Sequence, residues 1–375
     1  MYPSTPIHNQ CVDFSWLCYN TGHIQQRQVM KSTMVVTTAV DGAHQGVGEL
    51  RPLDPTRDLG IIAALIAEAF AEELDARGRA ALREMRWMAR LSPLLWWLSQ
   101  ADPTFHEAFN GFVWEVPSKR GKGKRIVGNV SLNRAPGSRK VWIISNVVVH
   151  NAYREQGIGR KLTRAAVAEA SKLGAREVIL QVYTDNLPAR QLYANLGFQE
   201  RAGEVNLQLT RISSVAFLEA PGHQLRAWQP ADGGDVYQLA IRTTAEARCW
   251  IRPLRLRHYR PDWWARAGEK LANLLAGRRT YRMVAVRDDK LVGVMALTVV
   301  AHRGEHQLEL LAHPDHAGPL AAALASRALH LLGAVPSKPV QTTVDTSQSE
   351  VLHVLRNYGF EDKRTLLTMG KRFES

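Results

Sequence analysis

The sequence predicts an α/β protein of two related domains, each a mixed central sheet flanked by helices. Three observations carry this. The chain has 375 residues, more than one ordinary domain holds. Its first half runs an antiparallel strand pair, then strand, helix, strand, helix, strand. Landmarks of that half then return, in the same order, in the second.

The elements follow from local pattern. Glu49–Pro52 opens an extended segment. Ile61 to Phe70 carries apolar residues at helical spacing, and helical pattern continues toward Trp97. Phe112–Val116 and Ile126–Leu132 read as strands joined by the loop Pro117–Arg125, a run of cations and glycines. Val141–Val149 is an almost unbroken apolar, β-branched run, as suits a strand buried on both faces. A helix is expected from Gly159 to Leu173, ended by Gly174. Glu177–Val182 reads as a second buried strand, Ala189–Leu196 as a short helix stopped by Gly197, and Val205–Leu209 as a last strand. Leu50-Arg51 with Pro55 returns as Leu225-Arg226 with Pro230, and Pro93 with Trp96-Trp97 as Pro261 with Trp263-Trp264. Ile126-Val127-Gly128 returns as Leu291-Val292-Gly293, and Leu196-Gly197-Phe198 as Tyr358-Gly359-Phe360. Four matches in order argue for an internal duplication. The expected organisation is an unstructured leader over 1–46, a first domain over 47–212, a linker at 213–222 and a second domain over 223–375. Met30 or Met34 is a candidate start of translation.

Composition narrows the class. The chain is 45% hydrophobic and 22% charged, so each half can build an ordinary core without disulfides or metal. Cys11, Cys18 and Cys249 form no C-x-x-C pair and read as free thiols of a reducing compartment. No apolar run approaches the roughly 20 residues of a spanning helix. The N-terminus lacks a signal peptide's apolar centre. A cytoplasmic protein without membrane partners is expected. The net charge of +13 is spread over both halves. It fits a binder of anions as well as a basic proteome background.

The chemistry concentrates between Val147 and Phe198. A buried strand ends at Val149, the loop His150–Tyr153 follows, and Arg154-Glu155-Gln156-Gly157-Ile158-Gly159 opens straight into a helix. Glycines let backbone approach a ligand closely. The first N–H groups of a helix lack internal partners and carry the positive end of its dipole. Such a strand–loop–helix can hold a phosphate or pyrophosphate. It is not a Walker A loop, since no Gly-Lys-Ser/Thr follows, and it lacks the three-glycine dinucleotide fingerprint.

Arg154-x-x-Gly157-x-Gly159 after a hydrophobic strand resembles the acetyl-CoA pyrophosphate signature of the GNAT (GCN5-related N-acetyltransferase) superfamily. Asn186, Ala189, Leu192-Tyr193 and Gly197-Phe198 resemble the same family's downstream pattern. The resemblance covers about 47–210 and implies two GNAT-like domains in tandem. It implies an N-acetyltransferase acting on acetyl-CoA and an amine-bearing small molecule or peptide by direct attack in a ternary complex, with no metal. By resemblance, backbone N–H groups of Gln156, Gly157, Ile158, Gly159 and Arg160 cradle the pyrophosphate, with Arg154 and Glu155 in the same loop. Val147, Val148 and Val149 pair through their backbone with the pantetheine arm, and one N–H there polarises the thioester carbonyl. Asn186 binds or shapes the pantetheine. Tyr193 protonates the leaving thiolate.

The match lacks a general base, which a protonated amine needs. Where ribosomal-protein N-terminal acetyltransferases of the family carry Glu, this chain has Gln181. His150, Asp185, Glu115 or a water chain are the candidates. The second copy reads His313-Pro314-Asp315-His316-Ala317-Gly318-Pro319 at the loop, with Gln348 and Leu355 in place of Asn186 and Tyr193. Pro319 removes a donor a cradle needs. That half reads as degenerate, and its loop histidines as solvated residues rather than a metal site. Cations and aromatics interleave from Arg242 to Arg266, a composition also found on RNA-binding surfaces. Packing and lining of an acceptor cleft is the expectation there. The alternative to an enzyme is an inactive acyl-CoA-sensing or RNA-binding module on the same fold.

Overall fold

The computed structural model describes residues 48–69, 76–91, 110–118, 123–211, 215–260, 262–302, 304–335 and 337–374. The leader, Cys11, Cys18, the Pro93–Trp97 landmark and the centre of the basic loop lie outside them. In chain order the first elements are β1 (Glu49–Pro52), α1 (Pro55–Ala69), α2 (Ala76–Arg90), β2 (Gly111–Pro117), β3 (Lys124–Arg134), β4 (Val141–Val149), α3 (Ile158–Lys172) and β5 (Glu177–Tyr183). Then come α4 (Leu187–Ala194), β6 (Gln199–Leu209), β7 (Gln224–Ala227), α5 (Gly233–Thr243), α6 (Glu246–Ile251), α7 (Leu256–Tyr259) and α8 (Trp263–Leu275). The chain closes with β8 (Arg278–Arg287), β9 (Lys290–Val300), β10 (His306–Ala312), α9 (Ala317–Leu332), β11 (Val340–Asp345), α10 (Ser349–Asn357) and β12 (Glu361–Arg372). Two compact units divide within β5, between Leu180 and Gln181, and the chain end from Arg372 groups with the first.

In the first unit β1 to β4 pair antiparallel in sequence order, and β4 pairs parallel with β5. Val141, Trp142, Ile143 and Ile144 are all buried, as the unbroken apolar run predicts. α1 lays Leu59, Ile62, Ala63 and Ile66 on a core with Val113, Ile126 and Val148. α3 sits close on β3: a Cβ at Gly128 would come within 2.9 Å of the Leu162 side chain. Only glycine lets helix and strand approach that far.

In the second unit the strand order is β12, β6, β11, β10, β9, β8, β7. Only β10 and β11 pair parallel. α9 is the buried centre, with Leu320, Leu324, Ala325 and Ala328 inaccessible against Met295, Leu297 and Leu308. β6, which the sequence places last in the first half, pairs with β11 and β12 in this unit. Alternation identifies a strand but not its partner.

The duplication recurs at the level of single hydrogen bonds. Arg51 grips Asp58 through both terminal nitrogens (2.6 and 2.9 Å), and Asp58 also caps Asp54 N–H. Arg226 grips Asp232 the same way (2.8 and 2.7 Å), and Asp232 caps Gln229 N–H. After β4, His150 N–H donates to Val127 O, and after β10, His313 N–H donates to Val292 O, each at 2.8 Å. Phe198 N–H donates to Tyr193 O and Phe360 N–H to Leu355 O, each at 3.1 Å, and Gly197 and Gly359 share φ near +85°. These paired details show that the sequence landmarks recur as the same local structures.

Candidate active site

β4 carries the first distinctive feature. Its ladder to β5 ends at Ile144 and Leu180. Opposite β3, the register shifts between Asn129 and Ser131, so Asn146 and Val147 together face Val130. Asn146 adopts φ +51°, a left-handed backbone that asparagine tolerates better than most residues. This is a β-bulge, and it bends β4 just before Val147–Val149. Asn129, fully buried on β3, donates its amide to Asn146 O at 3.0 Å, and Asn146 Nδ2 donates to Ser131 Oγ at 3.3 Å. Asn129 Oδ1 and Ser145 Oγ are buried with no partner. No role falls to Asn129 from the sequence alone. The signal was the polar pair Ser145-Asn146 inside an otherwise apolar run.

Beyond the bulge the chain makes a single helical turn at Asn151–Tyr153 and enters the loop. Arg154 Nε donates to Val149 O at 3.2 Å, tying the loop to the strand end. Glu155 and Gly157 both take left-handed φ, +64° and +74°. Gly157 is the N-cap of α3, with no side-chain capping bond and no acid in the first turn. The N–H groups of Ile158, Gly159 and Arg160 therefore face outward with the helix dipole behind them. A Cβ at Gly157 would meet nothing within 4 Å. The glycine thus serves the backbone angle and leaves open space in front of the donors. Exposed Arg154, Arg160 and Lys161 surround it. These residues fit a polyphosphate.

The downstream residues belong to the second unit. Asn186 caps α4, its Oδ1 accepting from Ala189 N–H at 3.2 Å, so its Nδ2 is the group that can donate elsewhere. Tyr193 is 7% exposed and packs edge-on against Phe198. Burial pushes its phenol up to about 12, so it keeps its proton at neutral pH.

The candidate bases are each engaged. Glu115 is held by Arg51 at 2.6 Å, and that hydrogen bond holds its carboxyl below the usual carboxylate range. Asp185 is held by Arg364 at 3.1 Å. His150 Nδ1 accepts from Ala152 N–H at 3.2 Å, which puts the ring proton on Nε2, 3.5 Å from Glu68. Gln181 is half-buried and neutral. Among the described residues no group of three or more His, Cys, Asp or Glu is placed to hold a metal ion.

The second copy differs where the ligand chemistry lies. β10 pairs with β9 without a register shift, so it has no bulge. No residue from His313 to Pro319 takes a left-handed φ. Gln348 stands at the N-cap of α10 without a side-chain capping bond, its Nε2 donating instead to Thr243 O at 3.1 Å, and Leu355 is fully buried.

Residues 66–198 match the profile of the Acetyltransferase (GNAT) family. The chain belongs to the GNAT superfamily. Rat N-acetyltransferase 8B is 26% identical over 145 residues, which cover 34% of this chain and 65% of that protein. Mycothiol acetyltransferase of Catenulispora acidiphila is 34% identical over 92 residues, 24% of this chain and 29% of that protein. These matches span less than two thirds of either relative. The crystal structure of a GCN5-related N-acetyltransferase from Sphaerobacter thermophilus superposes with a TM-score of 0.51 at 16% identity, covering 88% of this chain and 96% of that one. The GNAT fold therefore extends over both units, beyond the stretch the family profile matches.

Proposed function

We propose that this protein is an N-acetyltransferase that moves an acetyl group from acetyl-CoA to an amine. The observation that carries the reading is the coupled geometry of bulge and cradle. Asn146 bends β4 ahead of Val147–Val149, and Glu155 and Gly157 turn the N–H groups of α3 toward open space. In this reading Gln156 to Arg160 bind the pyrophosphate through backbone donors, and Arg154 holds the loop in place. Val147–Val149 offer an unpaired strand edge to an extended pantetheine. One of their N–H groups meets the developing oxyanion. Asn186 donates through Nδ2 to the same arm. Tyr193, protonated at neutral pH, supplies the leaving thiolate with a proton or hydrogen bond. Attack is direct, since no Cys or Ser nucleophile lies in the signature. The second domain is an inactive GNAT copy.

A second reading, an acyl-CoA-binding module without turnover, is favoured by one observation. Glu115 and Asp185 are committed to arginines, and His150 to a backbone N–H. The deciding experiment reads free CoA released by the purified protein with a panel of small amines and peptides. Amine-dependent release supports the enzyme. Tight acetyl-CoA binding with no release from any amine supports the module.

A further inference from the structure

α8 is mounted inside out. An amphipathic helix on a sheet ordinarily turns its apolar stripe inward. Among its described side chains Arg266, Glu269 and Asn273 are the half-buried ones, and Glu269 is paired with Arg282 of β8. The opposite stripe is apolar at helical spacing: Trp264, Ala267, Leu271, Leu274 and Leu275. It faces solvent. Trp263 is 57% exposed, Trp264 68%, Leu271 58%, Leu274 76% and Leu275 80%. Single exposed leucines are commonplace, but five large apolar side chains on one helix mark an interaction surface.

The charges around the stripe say what covers it. Exposed Arg257 and Arg260 precede the helix, exposed Lys270 borders it, and exposed Arg278 and Arg279 follow it. Asp262 is the one exposed acid in that stretch. A second copy of the chain docking here would bring two such cationic rims together, which costs energy. A single helix face is convex and needs a flat or yielding partner. The two tryptophans, stacked at 3.5 Å at one end, are residues that settle at a membrane–water interface. Leucines and tryptophans on one side with arginines and lysine at the rim are the pattern of a helix lying in an anionic lipid surface.

We propose that α8 docks the second domain on the surface of an anionic membrane. This is association with the interface, not insertion across it. Among the described residues no helix is long and apolar enough to span. The stripe would enter the headgroup–acyl boundary, with Arg257, Arg260, Lys270, Arg278 and Arg279 at the lipid phosphates.

The test is flotation of the full chain with phosphatidylcholine vesicles and with vesicles of phosphatidylcholine mixed with phosphatidylglycerol. Binding is expected to the mixed vesicles alone and to fall with added salt. Lys270→Gln/Arg278→Gln/Arg279→Gln should weaken partition by on the order of 100-fold. Leu271→Glu/Leu274→Glu should abolish it. Both variants change exposed positions, and circular dichroism and melting confirm their fold. The proposal is overturned if the protein does not float with either vesicle. It is overturned equally if light scattering shows a dimer that Leu271→Glu/Leu274→Glu dissociates, since a second copy then covers the stripe.

Discussion

Gly157 separates backbone strain from ligand contact. Its φ of +74° is left-handed, which costs an L-residue about 1–2 kcal/mol. The space around it adds nothing to that cost, because a Cβ there meets no atom within 4 Å. Gly157→Ala should therefore lower stability by about 1–2 kcal/mol, and Gly157→Leu by little more, its side chain lying in solvent. A domain of this size loses roughly 2–4 °C in Tm per kcal/mol. The ligand tells the two apart from wild type. At 100 times its Kd, acetyl-CoA should stabilise wild type by about 2.7 kcal/mol. In Gly157→Leu the side chain fills the space before the α3 donors, and the ligand-induced rise in Tm should vanish. Thermal unfolding with and without acetyl-CoA reads both quantities. A leucine variant that keeps the full rise would place the pyrophosphate elsewhere. A leucine variant far less stable than alanine without ligand would mean the space is not open.

Tyr193→Phe should cut turnover by about 10- to 1000-fold with little change in acetyl-CoA affinity, as loss of a transition-state proton donor does; weaker binding with intact turnover would refute the role. The same residue predicts alkaline behaviour. Its folded pKa, about 12, exceeds the ordinary value of 10, so its contribution is complete below pH 10 and lost as pH rises toward 12. Urea melts should show Tyr193→Phe gaining roughly 3 kcal/mol on wild type across that window. Arg51→Ala takes its bidentate partner from Asp58, whose side chain is 2% exposed, leaves it Asp54 N–H and Arg57 at 3.7 Å, and should cost about 1.5–3 kcal/mol. Arg226→Ala should cost less in the same denaturant assay, because that pair is more open, at 34% and 9%. Calorimetry should find one acetyl-CoA per chain, and two equivalent sites would contradict the reading of His313–Pro319 as a lost cradle.

Much of this was legible in the sequence because it is local. The apolar run at Val141–Val149, the helix opening after Gly157 and the glycine stops at Gly174 and Gly197 follow from chemistry within a few residues. Most described elements of the first half lie within two residues of their expected ends, but α1 starts at Pro55 rather than Ile61 and β6 at Gln199 rather than Val205. At the repeated landmarks Arg51 and Arg226 the structure adds the same arginine–aspartate grip, which gives a physical reason for their recurrence. What local pattern could not supply was pairing. The bulge at Asn146 depends on Asn129, seventeen positions earlier on another strand. Glu115 looked available as a base until Arg51 was seen to hold it. The burial that inverts α8 is a property of its surroundings, since its own sequence is an ordinary amphipathic pattern.

The placement of β6 bears on how this duplicated chain can change. β11 and β12 have no direct ladder between them in the strand order; β6 lies between and bonds to both. A protease nick between Leu209 and Gln224 would leave the two pieces held together through these ladders. Synthesis of the C-terminal repeat alone would leave two raw strand edges, which invite aggregation. A cut ahead of β6 is a different matter from a cut behind it, since it removes the strand that precedes the partner β11 and β12 share without touching either ladder.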